Sequence, residues 1–348
     1  MKQSIALFFG GTSGEHDVSI NSAKNVLAVI DRERYAVTPV MITRDGRWRI
    51  PDTAWDGNLS VWPLADDSTT EYSALEGLIE LQQRNWIDIA YILIHGGEGE
   101  DGRLQGFFDL AGIAYTGSSQ KAAAITMDKP RFQDVLTAHN IRTPQSITIE
   151  WPLTENETIE TITTQIKSGF GFPCFVKPAS GGSSVGTSRV ETAGDLESAL
   201  VSAGADDHRI LIQELVSGDE LSCGVLDING VATPLLPTLI KPKDGVFFDY
   251  KAKYTPGASS EITPAPISAE LTQAIQAKAL LCHQLFECNG VSRTDFLLDS
   301  SRSNDIVILE TNTVPGMTQT SLVPQGAAAI GISFAQTVQH IIESATKL

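Results

Sequence analysis

The apolar run Phe172-Pro173-Cys174-Phe175-Val176 leads into Lys177 and the Gly/Ser stretch KPASGGSSVGTS, residues 177–188. A buried strand that hands a lysine to a loop of small residues brings one point charge and several free backbone N–H groups to one place. That is equipment for holding polyphosphate, so a nucleotide is the first ligand to consider. A Gly/Ser cluster can equally be an ordinary turn, and the loop alone does not choose between the two.

Composition restricts how such a site can work. The 348 residues are 42% hydrophobic and 19% charged, which suits two or three packed domains and excludes the disordered class. With 25 basic against 42 acidic residues the formal net charge is −17, which argues against nucleic acid or anionic lipid as a partner. An anionic nucleotide would need local lysines, arginines and metal ions to reverse the field. Cys174, Cys223, Cys282 and Cys288 form no C-x-x-C pair, so neither a disulfide framework nor a zinc site is indicated, and small apolar fillers are expected. The opening MKQSIALFF passes into GGTSGEHD before it reaches the hydrophobic length of a signal peptide. No segment approaches the roughly 20 apolar residues that span a bilayer. The expectation is a soluble cytoplasmic protein.

Hydrophobic patterning divides the chain into three blocks. In 1–118, strand patterns at 4–9, 35–43 and 87–94 alternate with helical spacing at 18–30 and 103–110, an α/β layer. The Trp- and Asp-rich stretch 52–70 interrupts it as a surface insertion. A central block, 119–212, reads as helices at 120–126 and 130–140, a strand at 145–149, a helix near 158–168, then the lysine strand and its loop. The last block, 213–348, has strands at 220–228, 232–240, 293–298 and 306–310 and a final helix at 334–344. It also has a helix with Leu271, Ile275, Ala279, Cys282 and Phe286 on one face.

Asp295 lies within the strand beginning Arg293-Thr294-Asp295, and Glu310 and Asn312 end the next one. If these strands are neighbours, their side chains converge as hard oxygen ligands suited to Mg²⁺ or Mn²⁺. Two solvated acids at strand ends are the plainer alternative, which the lysine loop makes the weaker account.

Seven segments now stand in one order: GGTSGEHDVS (10–19), HGGEGEDGRLQG (95–106), MDK (127–129), KPASGGSSVG (177–186), YKAKY (250–254), RTDF (293–296) and ETNTVPGMTQTSLVP (310–324). In sequence and order they resemble the D-alanine:D-alanine ligases of the ATP-grasp fold, over nearly the whole chain. The resemblance implies an N-terminal α/β domain and two grasp domains that clasp ATP between antiparallel sheets. It also implies an ADP-forming ligase that joins two D-alanines through a D-alanyl phosphate, for peptidoglycan synthesis, and a homodimer.

It further implies roles. Lys129, Lys177 and Lys253 would meet the ATP phosphates, Gln213, Glu214 and Val216 the adenine, and Glu220 the ribose hydroxyls. Many relatives carry Glu where Gln213 stands. A pair of Mg²⁺ or Mn²⁺ ions would sit on Asp295, Glu310 and Asn312. Arg293 and the Gly316 N–H would stabilise the tetrahedral oxyanion. Glu15 would hold the ammonium of the first D-alanine with His95 near its carboxylate, and Ser321 would take the carboxylate of the second. Ser183, Tyr254 and Glu15 would latch a mobile lid, 244–262, over the site. Glu100 and Asp101 are read as structural acids that orient their loop. Tyr254 favours an amine over D-lactate as second substrate, whereas D-serine, which adds one hydroxyl, is harder to reject. A non-catalytic nucleotide-binding regulator would have lost Arg293 or a metal ligand, and the sequence retains them.

Overall fold

Strand β1 (Gln3–Gly10) has both faces covered: Ile5, Leu7 and Phe9 point into one core, Ala6 and Phe8 into another. That is the burial of a central strand in a parallel sheet, and it explains the run without alternation. With β2 (Tyr35–Ile42), β3 (Trp48–Arg49), β4 (Glu71–Tyr72), β5 (Ile89–Ile92) and β6 (Ala114–Tyr115) it forms a six-stranded sheet in the order β4-β3-β2-β1-β5-β6. The pairs β1–β2, β1–β5 and β5–β6 are parallel, and β3 and β4 extend one edge antiparallel. Helix α1 (His16–Val29) covers one face; α2 (Ala74–Gln83) and α3 (Arg103–Ala111) cover the other. Helix α2 escapes the hydrophobic pattern, although its capping box, Ser73 with Glu76, is written in the sequence.

The computed structural model describes residues 2–57, 70–154, 157–182, 186–242, 259–303 and 305–345. Ser183, Lys253, Tyr254 and most of the anticipated lid and insertion lie outside them.

Helices α4 (Gln120–Met127) and α5 (Lys129–Ala138) follow. The second sheet is antiparallel, from β7 (Ser146–Glu150), β8 (Cys174–Pro178), β9 (Ser188–Val190) and β10 (Arg209–Glu214), in the order β7-β10-β8-β9. Helices α6 (Ile159–Ser168) and α7 (Leu196–Ala203) bury Ile162, Ile166 and Leu200 against it. Two features depart from the sequence blocks. Strand β10 carries the second sheet as far as Glu214, past the boundary drawn at 212, because its partners β7 and β8 continue pairing there. Phe132 and Leu136 of α5 enter the core of the third sheet, not the second.

The third sheet has β14 (Ser259–Ile262), β13 (Thr238–Pro242), β11 (Gly218–Ile228), β15 (Val291–Asp299) and β16 (Asp305–Asn312) in that order, with β12 (Val231–Pro234) paired to β11. The single strand expected at 232–240 is thus two strands. Pro234 and Pro237 cannot donate to a ladder, and the chain between them leaves one segment of β11 to rejoin it at another. Helix α8 (Ala269–Leu285) packs Ile275, Ala279 and Cys282 on this sheet. Helices α9 (Leu322–Ala328) and α10 (Phe334–Glu343) return to the first layer. Val323, Ile341, Leu226 and Val291 share a core with Leu7 and Leu27. That continuity brings the segment after β16 against the loops of the first sheet.

Candidate active site

Strand β1 leads to β2 on one side and has β5 on the other, so the ends of β1 and β5 form the switch point of the first sheet, where ligands of open α/β sheets bind. Ser19 fastens the two ends together, accepting from Gly10 N (2.8 Å) and donating to the Leu93 carbonyl (2.6 Å). Gly10 has φ +88°, and a Cβ there would lie 2.2 Å from the Ile42 carbonyl oxygen, so the turn requires glycine. Glu98 then takes both Thr12 N (2.9 Å) and Thr12 Oγ1 (2.7 Å), holding the loop that carries Glu15.

The Gly/Ser loop approaches the same acid. A Cβ built on Gly182 would lie 2.5 Å from Glu15 Oε2, and one on Gly96 2.8 Å from it. Asp128 caps α5 by accepting from Arg131 N (3.1 Å), which sets Lys129 at the helix start. From there Lys129 Nζ donates to the Gly181 carbonyl at 2.5 Å and lies 3.8 Å from Glu310 Oε2.

Antiparallel register assembles the acidic cluster. Arg293 pairs with Asn312 and Asp295 with Glu310 across β15 and β16. Asp295 is 5% exposed and accepts from Arg293 Nε (3.0 Å) and Nη2 (2.8 Å), from Ser222 Oγ (2.6 Å) and from Asn312 Nδ2 (3.4 Å). Among the described residues no three His, Cys, Asp or Glu side chains are grouped so as to hold a metal. The set present, two carboxylates and an amide, fits an ion that completes its coordination with phosphate oxygens and water, as magnesium does.

Ten of the residues singled out in the sequence, Glu15, His95, Lys129, Glu220, Arg293, Asp295, Glu310, Asn312, Gly316 and Ser321, line one cavity of about 580 Å³. Lys177, Gln213, Glu214 and Val216 are not on its lining. Lys177 instead donates to Gln213 Oε1 at 2.7 Å. An ammonium only donates, so the amide oxygen must face it, and Gln213 Nε2 is left buried without an acceptor among the described residues.

His95 is 4% exposed with both ring nitrogens engaged, Nδ1 on the Val314 carbonyl and Nε2 on Ser22 Oγ, each at 2.8 Å. Donation from Nδ1 to the carbonyl leaves Nε2 to accept from the serine, and burial holds the ring below the usual histidine range. His95 therefore reaches the cavity as a neutral ring fixed by the protein. Glu100, read from sequence as a structural acid, also lines the cavity; burial first, and Glu15 second, push it up to about 7. Sequence reading missed Ser22, whose only signal is its place one helical turn after Val18 on α1. It also missed Glu261, which burial raises above the usual carboxylate range and which accepts from Gln325 Nε2 (3.0 Å). Glu261 stands at the end of the anticipated lid, in β14, where no pattern marks it. No helix among the described residues is long and apolar enough to cross a membrane.

Comparison with known proteins agrees with this geometry. Residues 4–118 match the family model for the D-ala D-ala ligase N-terminus, and 136–343 that for the D-ala D-ala ligase C-terminus. The chain is 39% identical over 357 residues to the D-alanine–D-alanine ligase of Leptospira biflexa, covering 98% of each. It is 33% identical over 362 residues to that of Ruminiclostridium cellulolyticum, covering 99% of this chain and 95% of the relative. Among solved structures, the VanG D-Ala:D-Ser ligase from Enterococcus faecalis superposes with a TM-score of 0.82 at 31% identity, covering 99% of both. The D-alanine-D-alanine ligase from Coxiella burnetii gives 0.80 at 26%, covering 99% of this chain and 93% of that one. Matching models at both ends, relatives along the full length and a cavity gathering the motif residues establish that this chain belongs to the D-alanine–D-alanine ligase family.

Proposed function

We propose that this protein joins two D-alanines to D-alanyl-D-alanine at the expense of ATP. The observation that carries the reading is the meeting of Glu15, Arg293 and the acids of β15 and β16 around one cavity, beside the backbone of Gly181 and Gly182. A carboxylate oxygen of the first D-alanine takes the γ-phosphoryl group and ADP leaves. The amine of the second then attacks the acyl carbon, a C–N bond forms and phosphate departs. Glu15 holds the ammonium of the first substrate, the fixed ring of His95 bounds its carboxylate, and the Ser321 hydroxyl takes the carboxylate of the second. Lys129, with Lys177 and Lys253, answers the phosphate charge; Glu220 takes the ribose hydroxyls, and Gln213 to Val216 lie along the adenine. Arg293 and Gly316 N–H stabilise the oxyanion of the tetrahedral intermediate. Asp295, Glu310 and Asn312 would hold Mg²⁺ or Mn²⁺, two ions in all, which supply charge neutralisation on the transferring phosphoryl group. Ser183 and Tyr254 complete a latch with Glu15 that keeps water from the acyl phosphate. The reading extends to a homodimer in a bacterial cytoplasm whose product enters peptidoglycan synthesis.

The test is incubation of purified protein with Mg²⁺, ATP and D-alanine, followed by mass spectrometry for dipeptide and ADP. Absence of D-alanine-dependent ADP release rejects the reading. The likeness to a D-Ala:D-Ser ligase makes D-serine the first competitor to offer, with D-lactate beside it; a mixed product preferring either would reassign the second substrate. Arg293→Ala should lower kcat by about 10²–10³-fold, the cost of losing one oxyanion donor, while ATP still binds. Equal loss of both would remove Arg293 from that role.

A further inference from the structure

The segment that carries Gly316 belongs to the C-terminal block, yet its backbone is held by the N-terminal layer. Val314 N donates to Glu100 Oε1 at 2.9 Å, the Val314 carbonyl accepts from His95, and Met317 N donates to Ser22 Oγ at 3.3 Å. Gly316 lies between these anchors, after Pro315, which has no N–H. The direction of the Gly316 N–H is thus set where Val314 and Met317 are tied. Glu100 is itself pinned: its other oxygen, Oε2, accepts from Gly96 N at 2.8 Å, and the residue is 7% exposed. Its loop packs closely on the chain before it: a Cβ on Gly99 would lie 2.1 Å from the Ile94 carbonyl oxygen, so the close approach requires glycine.

A buried position with one backbone N–H at each end needs an acceptor at each end. Among side chains of this length only a carboxylate supplies that; an amide must turn its NH₂ toward one of the two donors. Burial and the neighbouring Glu15 disfavour its charge; the two backbone N–H bonds favour it, and Arg293 adds a smaller attraction.

We propose that Glu100 is a positioning residue of the ligase reaction: by accepting from Val314 N and Gly96 N together, it clamps the Gly316 segment of the C-terminal block onto the N-terminal layer and so aims the Gly316 N–H at the reacting carbonyl. This rests on the ligase reading. Two charged groups act on Glu100 from the elements around it, Glu15 ahead of α1 and Arg293 on β15; His95, which shares Val314 with it as a partner, is neutral through its bonds to Val314 and Ser22. A protonated Glu100 presents a hydroxyl where an acceptor is needed, so the clamp weakens as the acid takes up its proton.

Glu100→Gln, which keeps the shape and removes one acceptor, tests this. The expected result is a fall in kcat of about 100-fold, the cost of a misplaced catalytic group, with ATP affinity unchanged and the unfolding temperature lower by no more than about 2–4 °C, since one buried N–H loses its acceptor. Wild-type kcat should also fall below about pH 7, where Glu100 titrates, and the variant should lack that limb. Asp101→Asn, which alters a neighbouring acid paired with Arg103 at the surface, should leave kcat unchanged. Amide hydrogen exchange at Val314 and Met317, measured without substrates, should accelerate in Glu100→Gln. This readout is independent of turnover, so failure of the ligase reading and failure of the clamp are separable. Wild-type kcat and wild-type exchange in Glu100→Gln would overturn the proposal, as would parallel loss of kcat, ATP affinity and thermal stability.

Discussion

Asp295 and Glu310 face each other across β15 and β16, and the ladder shifts register immediately afterwards, between Asp295 and Phe296. An extra residue at such a point bends the strand and re-aims its side chains, here at the cavity end of the pair. Two carboxylates about 4 Å apart repel by about 4 kcal/mol at an effective dielectric of 20. Arg293 forks onto Asp295, and Lys129 approaches Glu310 to answer that charge.

Glu310→Gln removes half of the facing pair, and with it a ligand from the proposed ion site. The Mg²⁺ concentration for half-maximal ADP release should rise at least about tenfold. A titration that superposes on the wild type would take Glu310 out of the metal set.

Arg142 ties the chain ahead of β7 to the third sheet, through Asp299 and through Asp305 at 2.8 Å. Hydrogen bonds from Ser301, then Arg142, hold Asp299 at about 2 against an ordinary 3.8. A carboxylate depressed in the folded state contributes stability above its unfolded value and loses it as pH falls through the folded one. Arg142→Ala should therefore cost about 1.5 kcal/mol at pH 7, the scale of a charge-assisted hydrogen bond. The deficit should shrink between about pH 4 and pH 2. Denaturant unfolding at several pH values reads this out; a deficit constant down to pH 2 would contradict it.

Phe132 of α5 is wholly buried and stacks on Phe286, with ring centroids 4.6 Å apart and planes at 22°. Phe132→Ala should destabilise by about 3–5 kcal/mol, the range for removing a buried aromatic. Because α5 also begins with Lys129, ATP affinity should weaken with it. Unfolding curves and nucleotide titration on one preparation would separate the two effects.

Burial pushes the thiols of Cys223, Cys282 and Cys288 up to about 12 and that of Cys174 to about 11. The thiolate is the reactive form, so a disulfide reagent at pH 8 should label native protein slowly and all four cysteines quickly in denaturant. Fast labelling of the native chain would show that one of these sites opens.

Legibility of the fold followed the physics of each element. The parallel strands β1, β2 and β5 and the long helix α8 declare themselves because burial on two faces, or on one helical stripe, writes a periodicity that local reading detects. Strand β10 does not. Its residues, Arg209 to Glu214, form a strand because β7 and β8 lie on either side, and no local signal reports partners that far along the chain. The split between β12 and β13 was written in Pro234 and Pro237 and overridden by the apolar residues between them. Ser22 and Glu261 acquire their places through contacts made late in the chain, at Met317 and Gln325.

By itself the sequence determined the chemical inventory: a Gly/Ser loop behind a lysine, acids ending successive strands, a Glu15 motif at a glycine turn, and the family these share. Residue type and spacing suffice there, because charge, donor count and glycine freedom are properties of residues. Only the tertiary structure decided that Asp295 opposes Glu310, that Lys177 donates to Gln213, and that Val314 is held by Glu100 and His95. Each depends on strand register or on packing between the first layer and the C-terminal block, and these are set by which surfaces exclude water together, not by any one stretch of chain.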